Sequence, residues 1–130
     1  MPEVQLFGLA KSQTTRKAQR FFRERRVRFH FVDLKVRSPS PGELRRWVQR
    51  FGAQALLDPD SPSYVEQGLR YVCAADEDWI RRMAADPTVL RLPLARCGTD
   101  LAVGDDPEAW QRFADAVRGS GGTSPGVKSR

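Results

Sequence analysis

Val4, Leu6, Phe7 and Leu9 form a short apolar run with Gly8 near its end, which predicts a buried strand over residues 3–9. The rhythm then lengthens to that of a helix. Ala18, Phe21 and Phe22 fall on one face and Arg16, Arg20 and Arg23 on the other, with Ser12 placed to cap a helix running to about Arg26. Val27, Phe29 and Phe31 alternate with Arg28 and His30, so a second strand is expected to about Leu34. Two strands joined by a helix read as a right-handed parallel βαβ unit.

Ser40-Pro41-Gly42-Glu43 has the spacing of a capping box with Pro at the first helical position. Leu44, Trp47, Val48 and Phe51 supply the apolar stripe behind it, and Gly52 ends the helix. Two or three short helices are expected between Ala53 and Asp86, one capped by Asp76 and buried through Trp79, Ile80 and Met83. Residues 92–97 and 101–103 flank Gly98-Thr99-Asp100 as a β-hairpin, and Asp106-Pro107 opens a last helix carrying Trp110, Phe113, Ala114 and Val117. The Gly/Ser-rich stretch 119–130 reads as a flexible tail. A βαβ unit, a helical insertion over about 40–90 and a ββα unit is the order of an α/β thioredoxin-like domain with a mixed four-stranded sheet, here over residues 1–118. That architecture sets the strand after Pro93 antiparallel to the first, beside the Leu9–Ser12 loop, with Leu92-Pro93 expected to be cis.

With 130 residues the chain has room for one sizeable core. Its longest unbroken apolar run, Tyr71 to Ala75, is too short to span a membrane, and no apolar segment follows a basic start as in a signal peptide. A cytoplasmic protein with no membrane partner is the expectation. Cys73 and Cys97 stand in no C-x-x-C or metal-ligand spacing, and His30 is the single histidine, so neither a disulfide framework nor a metal site is expected. For both cysteines a packing role is the expected one, with Cys73 half-buried. The charge is lopsided: residues 1–65 carry 13 basic and 6 acidic side chains, and Arg16–Arg28 alone holds seven basic residues against Glu24. Such a strip attracts an acidic protein surface or a nucleic acid. Because 18 of the 22 basic residues are Arg, spread along the chain, nucleic acid is the less expected of the two.

Taken in order, Leu6-Phe7-Gly8-Leu9, Thr15-Arg16-Lys17-Ala18, Phe31-Val32-Asp33-Leu34, Gly52 with Ala55-Leu56-Leu57, Tyr64 with Gly68-Leu69, Leu92-Pro93-Leu94 and Val103-Gly104 resemble the ArsC/Spx family from Val4 to about Phe113. That family comprises glutaredoxin-type arsenate reductases and the related Spx transcriptional regulators. The resemblance implies a catalytic Cys at the N-terminus of the first helix, where helix-end amides lower a thiol's pKa. This chain has Ser12 there, and Ser12-Gln13-Thr14-Thr15 where Spx proteins carry C-x-x-C. The three anion-binding arginines of the reductases depart as well. One aligns with Asp58-Pro59-Asp60, one with Leu92 while Arg91 lies a residue away, and one with Asp105 or Asp106. A one-residue shift in extended chain turns a side chain to the other face, and carboxylates in place of cations repel arsenate.

Arsenate reduction is therefore not expected. What the resemblance leaves is a helix N-terminus with candidate anion or ligand contacts at Lys11, Ser12, Gln13, Thr14, Thr15, Arg16, Arg91 and Pro93. A non-catalytic binding or regulatory module is the first expectation. Its expected partner at Arg16, Arg20, Arg23 and Gly52 is the C-terminal domain of the RNA polymerase α subunit, or another protein. The alternative is a glutathione-dependent reductase or transferase with Ser12 donating a hydrogen bond to the glutathione thiolate. No other cofactor is implied.

Overall fold

The computed structural model describes residues 3–121, and the chain divides into two compact units. The first comprises residues up to Asp33 and from Leu92 onward. It holds strand β1 (Val4–Gly8), helix α1 (Gln13–Glu24) and strand β2 (Phe29–Asp33). The second comprises Leu34–Arg91 and holds helices α2 (Pro41–Phe51), α3 (Ala53–Leu56), α4 (Pro62–Glu66) and α5 (Asp76–Ala85). Strands β3 (Leu94–Cys97) and β4 (Asp100–Val103) and helix α6 (Pro107–Gly121) complete the first unit.

The sheet has the order β2-β1-β3-β4. β1 and β2 are parallel from Val4↔Phe29 to Gly8↔Asp33, β3 runs antiparallel to β1 from Val4↔Cys97 to Phe7↔Leu94, and β4 is antiparallel to β3. The mixed, thioredoxin-like sheet expected from the pattern is present. Val4, Leu6, Ala18, Phe22, Ala95, Cys97, Trp110 and Phe113 share one buried cluster, which places α1 and α6 on the same face of the sheet. Phe21 meets Trp110 edge-on at 5.6 Å between ring centroids, and Phe29 and Phe31 pack at the cluster's margin.

α1 forms because Ala18, Phe21 and Phe22 make an apolar stripe and Ser12 caps it. It ends without a glycine. Arg26 takes the left-handed conformation at φ 57°, and Val27 N–H donates to Phe22 O at 2.9 Å while Arg26 N–H donates to Arg23 O at 3.0 Å. This is the Schellman arrangement, with Arg in the position Gly usually fills. The strand expected from Val27 accordingly begins two residues later.

In the second unit the capping box is complete: Glu43 N–H donates to Ser40 Oγ, and Ser40 N–H to the Glu43 carboxylate. Leu44, Trp47, Val48, Trp79, Ile80 and Met83 are buried, as the pattern predicts, but Phe51, the last residue of the expected α2 stripe, is exposed at the helix end. Asp76 is not the cap of α5. Ala75 is, with no side-chain bond, and Asp76 opens the first turn with Glu77 and Asp78, where carboxylates meet the positive end of the helix. Of the flexible stretch expected over 119–130, residues 119–121 are corrected, since α6 continues to Gly121; residues 122–130 lie outside the described residues. The hairpin turn is the two-residue Gly98-Thr99, with Asp100 already in β4.

Candidate functional site

The first strand delivers the chain to a tight turn at Leu9–Ser12, closed by Ser12 N–H donating to Leu9 O at 2.9 Å. Ser12 Oγ then accepts from Thr15 N–H at 3.2 Å and Ser12 O accepts from Arg16 N–H at 3.0 Å. Ser12 is thus the N-cap of α1, as expected. The N–H groups of Gln13 and Thr14, at the first two helical positions, have no acceptor one turn back. Thr15 is fully buried, and its Oγ1 has no hydrogen-bond partner. A Cβ added to Gly8 would lie 2.5 Å from that oxygen and 2.6 Å from Thr15 Cγ2. Gly8 is therefore what lets α1 settle onto the end of β1.

The antiparallel register, carried one step past Phe7↔Leu94, brings Pro93 abreast of Gly8. Leu92-Pro93 is cis, and Pro93 O accepts from Gly104 N–H at 2.9 Å. The loop wall expected at Pro93 is present.

The cations at this end are mostly engaged. Lys17 Nζ contacts both carboxylate oxygens of Asp105 at 3.0 Å, with the two side chains about half exposed. Arg16 donates to Ala10 O at 3.0 Å, which braces the turn. Lys11 is exposed. Asp106 caps α6, its Oδ1 accepting from Ala109 N–H at 3.2 Å. The two carboxylates that stand where the resemblance places a third arginine therefore both have structural partners. Arg91 belongs to the helical unit, where its guanidinium donates to Leu57 O at 3.3 Å.

Neither thiol lies at the turn. Cys97 pairs with Val4, the end of β1 remote from Gly8, and is buried; burial and then the Asp100 carboxylate push its thiol pKa up, away from a nucleophile's range. Cys73 is exposed rather than half-buried, because Val72-Cys73-Ala74 is irregular chain between a 3₁₀ turn and α5. His30 is exposed on the edge strand β2, and among the described residues no group of three or more His, Cys, Asp or Glu has a metal-holding arrangement. Gly52, in the helical unit, has φ 88° and joins α2 to α3. No helix among the described residues is long and apolar enough to cross a membrane.

The structure separates the arginines that the composition lumps together. Arg37, Arg45, Arg81, Arg82 and Arg112 pair with carboxylates, to Glu43, Glu77, Asp78 and Asp100. Among the described residues none of Arg16, Arg20, Arg23, Arg26 and Arg28 has such a pair, and all five are exposed. Arg23 stands over the Phe29 ring, 5.7 Å from its centroid. The sequence singled out Arg16, Arg20 and Arg23 but not Arg26. No Gly stands between Glu24 and Val27, so the local sequence carries no signal of the left-handed cap that Arg26 takes.

A parallel βαβ unit joined to a ββα unit, with a helix N-terminus facing the proline-started strand, defines a thioredoxin-like protein. Within that class, the ArsC family model matches residues 7–113, and the chain belongs to the ArsC family. Among solved structures it is similar to the YFFB protein, at 26% identity and TM-score 0.77, over 85% of this chain and 98% of that one. It is also similar in fold to the arsenate reductase from Vibrio cholerae, at 21% identity and TM-score 0.75, over 86% and 98%. An arsenate reductase (ArsC) related protein from Brucella melitensis has TM-score 0.65 at 18% identity, over 85% and 93%. No curated protein matches the chain.

Proposed function

We propose that this ArsC-family chain works by binding, as a cytoplasmic regulatory module without arsenate reductase or thiol redox activity. Its partner is an acidic protein surface, and the candidate is the C-terminal domain of the RNA polymerase α subunit. The observation that carries this reading is the row Arg16, Arg20 and Arg23 on the exposed face of α1, free of carboxylate partners among the described residues. Guanidinium groups on a helix that have no carboxylate partner of their own raise the rate of encounter with an acidic surface and pair with its carboxylates without first breaking an ion pair within the protein.

The turn lacks the groups that the reductases' chemistry needs. Ser12 stands where the resemblance places the reductases' thiol; a hydroxyl does not exchange with a disulfide, and no base adjoins it. Lys17 is paired with Asp105, whose carboxylate beside it opposes an oxyanion by like charge. Titration with the purified C-terminal domain of the polymerase α subunit at low salt tests the partner. Saturable binding, weakened about 10-fold or more by Arg16→Glu, Arg20→Glu and Arg23→Glu together, is expected. No binding at low salt ends the polymerase assignment, and turnover of arsenate with glutathione as reductant ends the non-catalytic reading.

A second reading rests on the Ser12 hydroxyl. Its oxygen accepts from Thr15 N–H, which leaves its proton to donate, as a glutathione-dependent enzyme would require toward a bound thiolate. Glutathione added at millimolar concentration would then shift the amides of Lys11–Thr15 and Leu92–Leu94. Unchanged spectra end this reading.

A further inference from the structure

We propose that the open edge of β2 takes up an extended acidic segment of a partner protein as a fifth strand, with the arginines of α1 and of the α1–β2 junction gripping its carboxylates. The inference rests on the reading of the α1 arginines as a docking face and adds a mode of recognition to it.

β2 is the outermost strand, paired only with β1 among the described residues. An edge strand presents N–H and C=O groups along its outer side, and main-chain pairing with an incoming segment satisfies them. Alternation along the strand divides the side chains of this edge. Phe29 and Phe31 point to the face that bears α1 and α6, where they pack half-buried at the margin of the core, and His30 points to the other face. A strand laid beside β2 would therefore set alternate side chains against Phe29 and Phe31 on the side where Arg23 already stands over Phe29. Arg20 precedes Arg23 by three residues on the exposed face of α1, and Arg28 directly precedes the strand.

Charge decides which strand can enter. A second copy of β2 would bring its own Arg28 and the same row of guanidinium groups, and like charges repel it. An acidic segment meets four exposed guanidinium groups, Arg20, Arg23, Arg26 and Arg28, none of which has a carboxylate partner among the described residues.

Arg26 is an independent sign that cations are kept here at a cost. It is the one non-glycine residue with positive φ among the described residues, in a cap position where Gly is free of strain. A fold selected for stability alone would place Gly there.

The test uses the full chain, isotope-labelled, and a synthetic peptide of roughly nine residues alternating Glu with Val, long enough to run the length of an edge strand. Two further peptides of the same sequence are N-methylated on alternate amides, in opposite phase. In the strand mode one phase removes the donors that face β2 and the other spares them. The expected result is amide shifts and slowed hydrogen exchange over Arg28–Asp33 with the parent peptide and with one methylated phase only. Arg20→Glu with Arg23→Glu should weaken binding by about 10-fold or more. If both phases bind alike and the arginine dependence remains, strand addition is overturned while the docking face stands. If the arginine changes leave binding untouched, both readings fail. Stronger, arginine-dependent binding of a single-stranded oligonucleotide that leaves the β2 amides unshifted overturns the proposal in favour of phosphate recognition.

Discussion

The two units of this chain distribute their arginines differently. In Leu34–Arg91 half of the eight arginines are ion-paired: Arg37 serves the α2 capping box through Glu43, Arg45 ties α2 to α5 through Glu77, and Arg81 and Arg82 share Asp78. The sheet unit forms such pairs too, Lys17 with Asp105 and Arg112 with Asp100, but among the described residues the arginines from Arg20 to Arg28 have no carboxylate partner, and those that are engaged meet carbonyl, amide and ring groups. Exposed ion pairs add little stability. Their larger consequence is to neutralise a cation within the fold, so a net charge of +6 says less about partners than the location of its unpaired part.

The sharpest contrast between the units is in their thiols. Cys73 is exposed, whereas Cys97 is buried beneath α6, with its Sγ 3.9 Å from Phe113 O and its pKa raised by burial. An aromatic disulfide reagent at pH 8 should modify Cys73 at the rate of a small-molecule thiol and Cys97 about 1,000-fold more slowly or less, limited by opening of the sheet unit. Comparable rates would mean that the sheet unit opens far more readily than its buried core implies.

A matched pair of charge reversals comes next in size. Arg20→Glu with Arg23→Glu and Arg45→Glu with Arg81→Glu change the net charge equally. The first pair should cost binding of an acidic partner about 10-fold or more, and the second about 2-fold or less, acting only through the general field. Equal losses in a calorimetric titration would show that bulk charge, not an arginine row, drives association.

Gly8 tests how closely the sheet unit is assembled around the turn. Gly8→Ala sets a methyl against the buried, β-branched Thr15, which has no room to withdraw, and should destabilise by about 1–3 kcal/mol in urea. Adding Thr15→Ala should recover most of that loss. If it does not, the close approach of Gly8 and Thr15 is not what matters at this position.

Much of this arrangement was legible from the chain. The strand–helix–strand start and the hairpin were read from apolar spacing, and both helix caps at Ser12 and Ser40 from residues whose hydroxyls satisfy backbone N–H groups locally. What could not be read is what depends on tertiary approach. Asp105 lies 88 positions from Lys17, so no local pattern announces their pairing. Likewise Gly8 and Thr15 each look ordinary in sequence, and only the seating of α1 on β1 makes one necessary to the other. Asp76 misled because any of three consecutive acidic residues suits the first turn, while the chain's direction assigned the cap to Ala75. Cys73 was expected half-buried within the helical insertion, whereas its segment forms no regular element and leaves it exposed.

The smallest expected effect is also the one that joins stability to function. Arg26 holds φ 57°, where an L side chain crowds its own backbone and Gly does not. Arg26→Gly keeps the two bonds that close α1, from Val27 N–H to Phe22 O and from Arg26 N–H to Arg23 O, because both use the main chain. Relief of the left-handed strain should therefore raise stability by about 0.5–1 kcal/mol, partly offset by the greater freedom of Gly in the unfolded chain. The same change removes one of the four guanidinium groups around β2 and should weaken binding of the acidic peptide about 2- to 5-fold, read as a Kd beside a raised urea midpoint. A gain in stability with affinity unchanged would leave Arg26 an ordinary strained cap. A gain in stability with a loss of affinity would mark it as a cation kept for its partner, and would extend the contrast between the two units from whole pairs to a single residue.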